Sequence, residues 1–427
     1  MKQWYHPNIV FMSETEATII KLPKTFRFTY FGEHDFHRIL SLFDWTPKDK
    51  NVVINFQECK KANYQPLSLF VLYVWQLKAN GCNVEIIYDP EKWGSASEMW
   101  VSMGATELFD VLDSPNNNFQ SDGHKPLLAV RNSSDFRVAL GKVESYVDEF
   151  DIEYEKTLRY VISEVLYNTL EHGRNLKVPS LIQFNWYETE NELSFIVADL
   201  GIGIKEHLRQ AYPQIDSDVE AIKYALKPQV SGTFNGKKNY EAKNNAGVGL
   251  FISSNIIRRL SANMFIVSGN GVVHISPTDI TGKTIESCWK GTLVYVTINL
   301  GIVEDLNLQK MMSELREKAM EEIAERTKQE KEEDFYLNIQ NYFSRYAEDK
   351  GRAKKIRDEK LVPAIAEGKT LTIDFDDVVS APHSFLNALL ATPIRQYGLA
   401  AYKKIKILNA ATEIRETIDF IFDENTQ

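Results

Sequence analysis

The stretch SEVLYNTLEHG, residues 163–173, carries two patterns at once. Its apolar residues are typical of a buried helix, while Glu164, Asn168 and His172 recur every fourth residue. Four residues advance a helix by about 400°, so these three side chains lie nearly in line. Because burying an acid and an amide without partners is costly, the stretch predicts a helix whose polar stripe faces a site rather than the core.

The length, composition and net charge of the chain narrow the classes of protein to which it can belong. The 427 residues are too many for one compact core and enough for two or three domains. Hydrophobic residues make up 44% and charged residues 25%, which is typical of a soluble, globular chain. The formal net charge of −10 disfavours non-specific nucleic-acid binding, so nucleic acid is not indicated as a partner.

The cysteines and the lengths of the apolar runs indicate in which cellular compartment the protein is expected. Cys59, Cys82 and Cys288 are far apart and odd in number, which argues against a disulfide framework or a zinc cluster and favours reducing conditions. The first residues show no signal peptide, and no stretch approaches the ~18 apolar residues of a membrane span. We therefore expect a cytoplasmic protein with no membrane partner.

The order of patterns predicts an α/β (α+β) chain. Residues 1–113 form a small module, and 114–144 are predicted as a linker that is polar and turn-rich up to residue 126. In the module, TFRFTYF, NVVINF and CNVEIIYD are expected strands, and PLSLFVLYVWQLKANG before the last strand is an expected helix.

A second and larger α/β region is predicted over 145–302, with a long helix over about 152–172. Residues 303–334 are charged and helix-prone, with i,i+4 pairs such as Glu314–Lys318. A solvated connecting helix is the first interpretation, and a helix that forms a homodimer or transmits a signal is the alternative. Residues 335–427 form another strand–helix unit, laid out like the N-terminal module.

An acid followed by two glycines marks the end of one expected strand. In VADLGIGI, residues 197–204, Asp199 ends a buried run and is followed by Gly201 and Gly203. Glycines at such a place allow a ligand to approach the backbone closely, and they leave the carboxylate available to accept hydrogen bonds. The motif alone is weak evidence for a site, because such sequences are usually turns.

Two further motifs follow in the same region. Gly247 and Gly249 open the amphipathic helix in NNAGVGLFISSNIIRRL, residues 244–260, and glycines at a helix start suit an anion held on free N–H groups. In KGTLVYVTI, Gly291 and Thr292 open a late strand. Each motif is weak alone, but the order and spacing of all four features together are difficult to obtain by chance.

The four features resemble the signature motifs of the GHKL superfamily, which includes DNA gyrase, the ninety-kilodalton chaperones, histidine kinases and MutL. The resemblance covers about residues 145–300 and implies a Bergerat α/β sandwich that binds ATP and Mg²⁺. By this resemblance Asn168 ligates Mg²⁺, Asp199 accepts the amino group of adenine, and Glu164 acts as the general base.

The resemblance also implies roles for the residues around the nucleotide. Gly203 would line the base pocket, Gly201 would also bind the nucleotide, and Thr292 would bind near the adenine and Asp199 through water. The hinge and phosphate cradle beside a mobile lid would be formed by Gly247, Gly249 and Leu250. The lid is predicted over 213–246. Its Lys237, Lys238 and Lys243 are interpreted as solvated surface residues, with contact to phosphates as the alternative. His172 is interpreted as a brace for the helix end, with contact to the nucleotide as the alternative.

The flanks resemble partner-binding modules. TLTIDFDDVVSAPHSFLNALL, residues 370–390, resembles the STAS-like domain, and the N-terminal module resembles it more weakly, so we expect a protein partner. We expect a Mg²⁺-dependent ATPase that acts as a nucleotide-controlled switch. Two alternatives stay open: a serine/threonine kinase of the anti-sigma-factor type, whose helix motif is the most similar, and a nucleotide-dependent binding module without turnover.

Overall fold

The structure is a computed structural model that describes residues 17–425, except 90–94, 115, 118, 122–124, 148–150, 172–176, 231–248, 301–305, 331–334, 399–400 and 402–403. Helices and strands alternate through three regions of the chain, and each region has its own main sheet. The predicted α/β class is confirmed. The positions of the domain boundaries stay a prediction.

The N-terminal region is built on a parallel sheet. Its elements are β1 (Thr18–Lys21), β2 (Thr25–Phe26), β3 (Thr29–Tyr30), β4 (Glu33–His34), α1 (Phe36–Leu40), β5 (Asn51–Asn55), β6 (Lys61–Ala62), α2 (Tyr64–Ala79), β7 (Asn83–Ile87), α3 (Ala96–Ser102) and a 3₁₀ helix (Ala105–Leu112). Strands β1, β5 and β7 form the sheet in that order, and α2 crosses from β5 to β7. The predicted NVVINF and CNVEIIYD strands and the helix between them are confirmed. The single strand predicted over TFRFTYF is wrong, because β2 pairs with β6 while β3 pairs with β4.

The central region is built on an antiparallel sheet. Its elements are β8 (Leu127–Val130), α4 (Ser133–Val147), α5 (Ile152–Glu171), β9 (Ser180–Tyr187), β10 (Glu192–Ala198), α6 (Gly203–Arg209), α7 (Asp218–Ala225), α8 (Gly249–Arg259), β11 (Asn263–Ile275) and β12 (Ile280–Asn299), and α9 (Leu308–Glu330) follows. The five strands lie in the order β11-β12-β10-β9-β8. Helices α5 and α8 pack together over one face of this sheet.

Helix α2 covers the other face of the central sheet. Every residue from Gln65 to Leu77 in α2 is buried, and the helix packs on both β9 and β10. Buried Gln65 donates a hydrogen bond of 2.7 Å to Oγ of Ser194 in β10. A helix that is apolar all round must be enclosed on all sides, and α2 is enclosed between its own module and the central sheet.

The predicted linker over 114–144 is corrected by the structure. Strand β8 lies within it and pairs with β9, and most of α4 lies within it as well. All four residues of β8 are buried, so this short apolar run belongs to the sheet rather than to a connection. Four apolar residues are too few to show a period, and for that reason the pattern did not predict a strand.

The predicted connecting helix is an integral part of the central core. Met311, Met312, Leu315 and Ala319 of α9 are buried in the same apolar cluster as residues of α5 and α8. Glu314 pairs with Arg259 of α8 at 2.7 Å rather than with Lys318, which lies 3.8 Å from Glu322. The first interpretation, a solvated helix, is therefore wrong for the buried face of α9.

The predicted lid is a packed helix in its first half. Residues 213–230 hold α7, which packs on β11 and β12. Ala221 of α7 lies in a small apolar cluster with Leu208 and Ile215. The rest of the predicted lid, with its three lysines, lies outside the described residues.

The C-terminal region repeats the N-terminal arrangement. Its elements are β13 (Phe335–Asn338), α10 (Ile339–Phe343), α11 (Lys350–Ile356), a π-helical turn (Arg357–Leu361), α12 (Val362–Ala366), β14 (Leu371–Asp374), α13 (His383–Tyr397), β15 (Ile405–Leu408) and α14 (Thr412–Asn425). Strands β13, β14 and β15 are parallel and adjacent in that order, and α13 crosses from β14 to β15. The strands and helix predicted here are confirmed.

Candidate functional site

Asp199 is the most constrained of the predicted site residues. It follows the last residue of β10, and its N–H donates to the Thr292 carbonyl at 2.9 Å, so its backbone continues the ladder to β12. The side chain is 2% exposed, and its Oδ1 accepts hydrogen bonds from the Gly201 N–H at 2.7 Å and the Thr292 N–H at 3.3 Å. Within the described part of the chain, Oδ2 accepts none. One oxygen is therefore held in place, and the other has no donor among the described residues.

Burial perturbs the protonation of this carboxyl group. Desolvation raises the pKa of Asp199 to about 7, although the hydrogen bonds from Gly201 and Thr292 lower it in part. Burying a carboxylate with hydrogen bonds to only one of its oxygens has a cost that a structural role does not require. A strongly perturbed group of this kind is more common in functional sites than elsewhere.

Two glycines, Gly203 and Gly291, lie in the tightly packed backbone around Asp199 and Ser268. Gly203 has φ +78° and Gly291 has φ +110°, and both values are rarely adopted by other residues. A methyl group on Gly291 would overlap the Asp199 carbonyl, and one on Gly203 would lie 2.9 Å from Oγ of Ser268. Both glycines are required by close approach as well as by backbone angle.

Ser268 joins these glycines and was not predicted. Its hydroxyl accepts the Ile204 N–H at 2.9 Å and donates to the Gly291 carbonyl at 2.9 Å, so it ties the start of α6 to β12. It is 1% exposed on β11. A single serine after an apolar run is common in strands, so no local pattern distinguishes this one.

Glu164 and Gly249 meet, although they lie far apart in the sequence, on α5 and at the start of α8. A methyl group on Gly249 would overlap the Glu164 carboxylate. Glu164 is half-buried, and burial raises the pKa of its carboxyl group, while the neighbouring Tyr160 hydroxyl offsets part of that effect. The predicted helix stripe and the predicted glycine-opened helix therefore form one cluster.

The other predicted residues fall into three groups. Asn168 lies one turn beyond Glu164, is half-buried, and makes no side-chain hydrogen bond to any described residue. Leu250 packs its side chain into the apolar core, so the structure gives that side chain a packing role. Gly247 and His172 lie outside the described residues.

Asn168 fits the oxygen ligand that Mg²⁺ would need. Its amide oxygen is not engaged by any described residue, and Mg²⁺ takes one or two protein oxygens while keeping waters and phosphate oxygens. The described residues include no group of three His, Cys, Asp or Glu side chains placed to hold a metal ion. Asn168 therefore suits the single protein oxygen that a nucleotide-bound Mg²⁺ would need.

The two clusters form the candidate site. One consists of Asp199 with the Gly201 and Thr292 amides, and the other of Glu164 with Gly249. No hydrogen bond or ion pair joins them directly among the residues that the structure describes. A surface groove of about 1040 Å³ between α5 and α9 is lined by none of the predicted site residues that the structure describes.

The comparisons with known proteins bear on the C-terminal region. Residues 352–415 match a STAS-like domain of unknown function, DUF4325. The STAS-like module thus defined includes α13 and the strands on either side of it, which is the part that the TLTIDFDDV pattern predicted. A comparison with curated proteins finds no match to the chain. Among the described helices, none is both long and apolar enough to cross a membrane.

Proposed function

We propose that this chain is a Mg²⁺-dependent ATPase of the GHKL superfamily, in which the bound nucleotide changes how the STAS-like module engages a protein partner. The observation that carries the proposal is the buried Asp199 carboxylate, whose Oδ1 is held by two backbone N–H groups and whose Oδ2 has no donor among the described residues. An acceptor oriented in this way suits the exocyclic amino group of adenine. Gly203 and Gly291 let the backbone pack closely against Ser268 and Asp199, which fixes the position of this acceptor.

In this proposal, the cluster of Glu164 and Gly249 carries out ATP hydrolysis. A general base needs a pKa close to the operating pH, and burial moves the Glu164 carboxyl in that direction. Its carboxylate lies against Gly249, the first residue of α8, and the N-terminus of a helix is a favourable place for phosphate oxygens. Mg²⁺, when bound, would neutralise phosphate charge, and Asn168 would hold it.

The proposed switch rests on contacts between the C-terminal and central regions. Asn341 of α10 accepts a hydrogen bond from Arg209 and donates one to the Pro213 carbonyl, and the Tyr342 hydroxyl donates to the Ala211 carbonyl at 3.3 Å. These contacts lie at the end of α6 and just after it, and the first residue of α6 is Gly203 of the base pocket. A ligand that moves α6 would therefore act on the docking of the C-terminal region.

The proposal is tested with the full chain, Mg²⁺ and ATP labelled on the γ-phosphate. We expect bound ATP and slow release of labelled phosphate. Glu164→Gln should keep bound ATP while turnover falls by about two orders of magnitude, because the base is lost. Glu155→Gln, a half-buried acid near the start of the same helix, is the matched control and should keep wild-type turnover.

Each other outcome has a defined meaning. A chain that binds no ATP overturns the proposal. Label on protein in place of free phosphate replaces hydrolysis by protein phosphorylation, the activity of the anti-sigma-factor serine kinases that the helix motif resembles. Bound ATP with neither product leaves a nucleotide-dependent binding module.

A further inference from the structure

A buried tryptophan lies directly beneath the Asp199 backbone. Trp289 of β12 is 1% exposed, and its indole N–H donates to the Asp199 carbonyl at 3.1 Å. Because the Asp199 N–H donates to the Thr292 carbonyl, both backbone polar groups of Asp199 are held by β12. The carboxylate of Asp199 thus extends from a backbone segment that has two points of support.

A bulge in β12 places Trp289 and Thr292 so that both can bond to the Asp199 backbone. Ser268 of β11 pairs with Thr292, but the next residue, Gly269, pairs with Trp289, so two residues of β12 are left over. Gly291, with φ +110°, is one of the two. Bulges redirect side chains beside functional sites, and this bulge brings both Gly291 and the Trp289 indole against Asp199.

The N-terminal region holds Trp289 from its other side. Trp45 meets Trp289 edge to face, with ring centroids 5.4 Å apart, and Phe43 does so at 5.8 Å. The Trp45 indole N–H donates to the carbonyl of Cys288 at 3.3 Å. Because edge-to-face ring pairs interact favourably, Phe43 and Trp45 support the position of Trp289.

We infer that Trp289 is a positioning residue for Asp199, and that the N-terminal region sets adenine affinity through Trp45. The inference rests on the proposed function, since it assigns the support of the base-binding carboxylate. Without the indole N–H, the Asp199 carbonyl would be a buried acceptor with one fewer donor, and the peptide that follows it would lose one of the contacts that fix its orientation. That peptide leads to Gly201, whose N–H holds Oδ1.

The test compares ATP with purine riboside triphosphate, which lacks only the 6-amino group. Trp289→Phe should weaken ATP binding about tenfold at pH 8 and the analogue much less, so the preference for ATP falls. Trp75→Phe is the matched control, because Trp75 is fully buried and donates to the Leu108 carbonyl at 2.7 Å, within the N-terminal region. It should lose thermal stability to a similar extent and keep the wild-type preference.

Trp45→Phe is the second variant, and it leaves Trp289 in place. It should lower the preference for ATP about threefold, in the same direction as Trp289→Phe. A folded Trp289→Phe or Trp45→Phe with the wild-type preference overturns the inference, as does an equal fall in Trp75→Phe. A wild-type chain that binds neither nucleotide overturns the proposed function itself, which is a distinct result.

Discussion

Replacing Asp199 by Asn should stabilise the ligand-free protein at neutral and alkaline pH. The amide oxygen of Asn can still accept the Gly201 and Thr292 N–H groups, so the main change is loss of a buried charge. The pKa of Asp199 is about 7 in the folded protein, against 3.8 for an unperturbed carboxyl. That difference of about three units corresponds to at most about 4 kcal/mol of free energy of unfolding.

The sign of the pH dependence follows from the raised pKa. The folded state binds the Asp199 proton more tightly, so the carboxyl contributes stability below about pH 4 and loses that contribution as the pH rises through about 7. The amide that replaces the carboxyl in the variant does not titrate. The stability advantage of the variant should therefore grow between pH 4 and 7 and level off above pH 7.

Urea unfolding of both proteins between pH 5 and 8 measures this difference, and other titrating groups cancel in the comparison. Asp135 provides the control, because it is 2% exposed but paired with Arg131 at 2.8 Å. Asp135→Asn should lower stability by breaking a buried pair. The reasoning is refuted if Asp199→Asn is less stable than the wild type at pH 8, or if the difference does not change with pH.

The same variant should bind ATP at least tenfold more weakly, because its Nδ2 donates a hydrogen bond at the position where the amino group of adenine needs an acceptor.

Two glycine substitutions test the close approaches at the site. Gly291→Ala, which overlaps the Asp199 carbonyl at a φ of +110°, should lower both the melting temperature and ATP affinity in calorimetry. Gly141→Ala in α4, with open space around it, should be neutral or stabilising by about 0.5–1 kcal/mol, and an equal loss in both would contradict the argument. Gly249→Ala displaces the Glu164 carboxylate and should lower phosphate release at least tenfold while weakening ATP binding less. Unchanged phosphate release would show that Glu164 is not the base.

Much of the local structure could be predicted because it depends on short-range patterns. The α5 stripe was visible because a helix places every fourth residue on one face, and the C-terminal strand–helix–strand unit followed from apolar runs bounded by turns. The predictions failed where the local pattern of a segment does not reveal which other strand it pairs with. The TFRFTYF segment alternates as a strand does, yet its two halves pair with different strands.

The contacts that join distant segments could not be predicted. Residue types alone indicated that Glu164, Asn168 and Asp199 are costly to bury without partners, and so they marked the candidate site. Only the tertiary structure showed that Gly249 lies against Glu164 and that Trp289 supports the Asp199 backbone. The physical reason is that a polar residue on an apolar face is costly wherever the chain places it, whereas a hydrogen bond to a particular carbonyl depends on the bulge and the packing that bring two strands together.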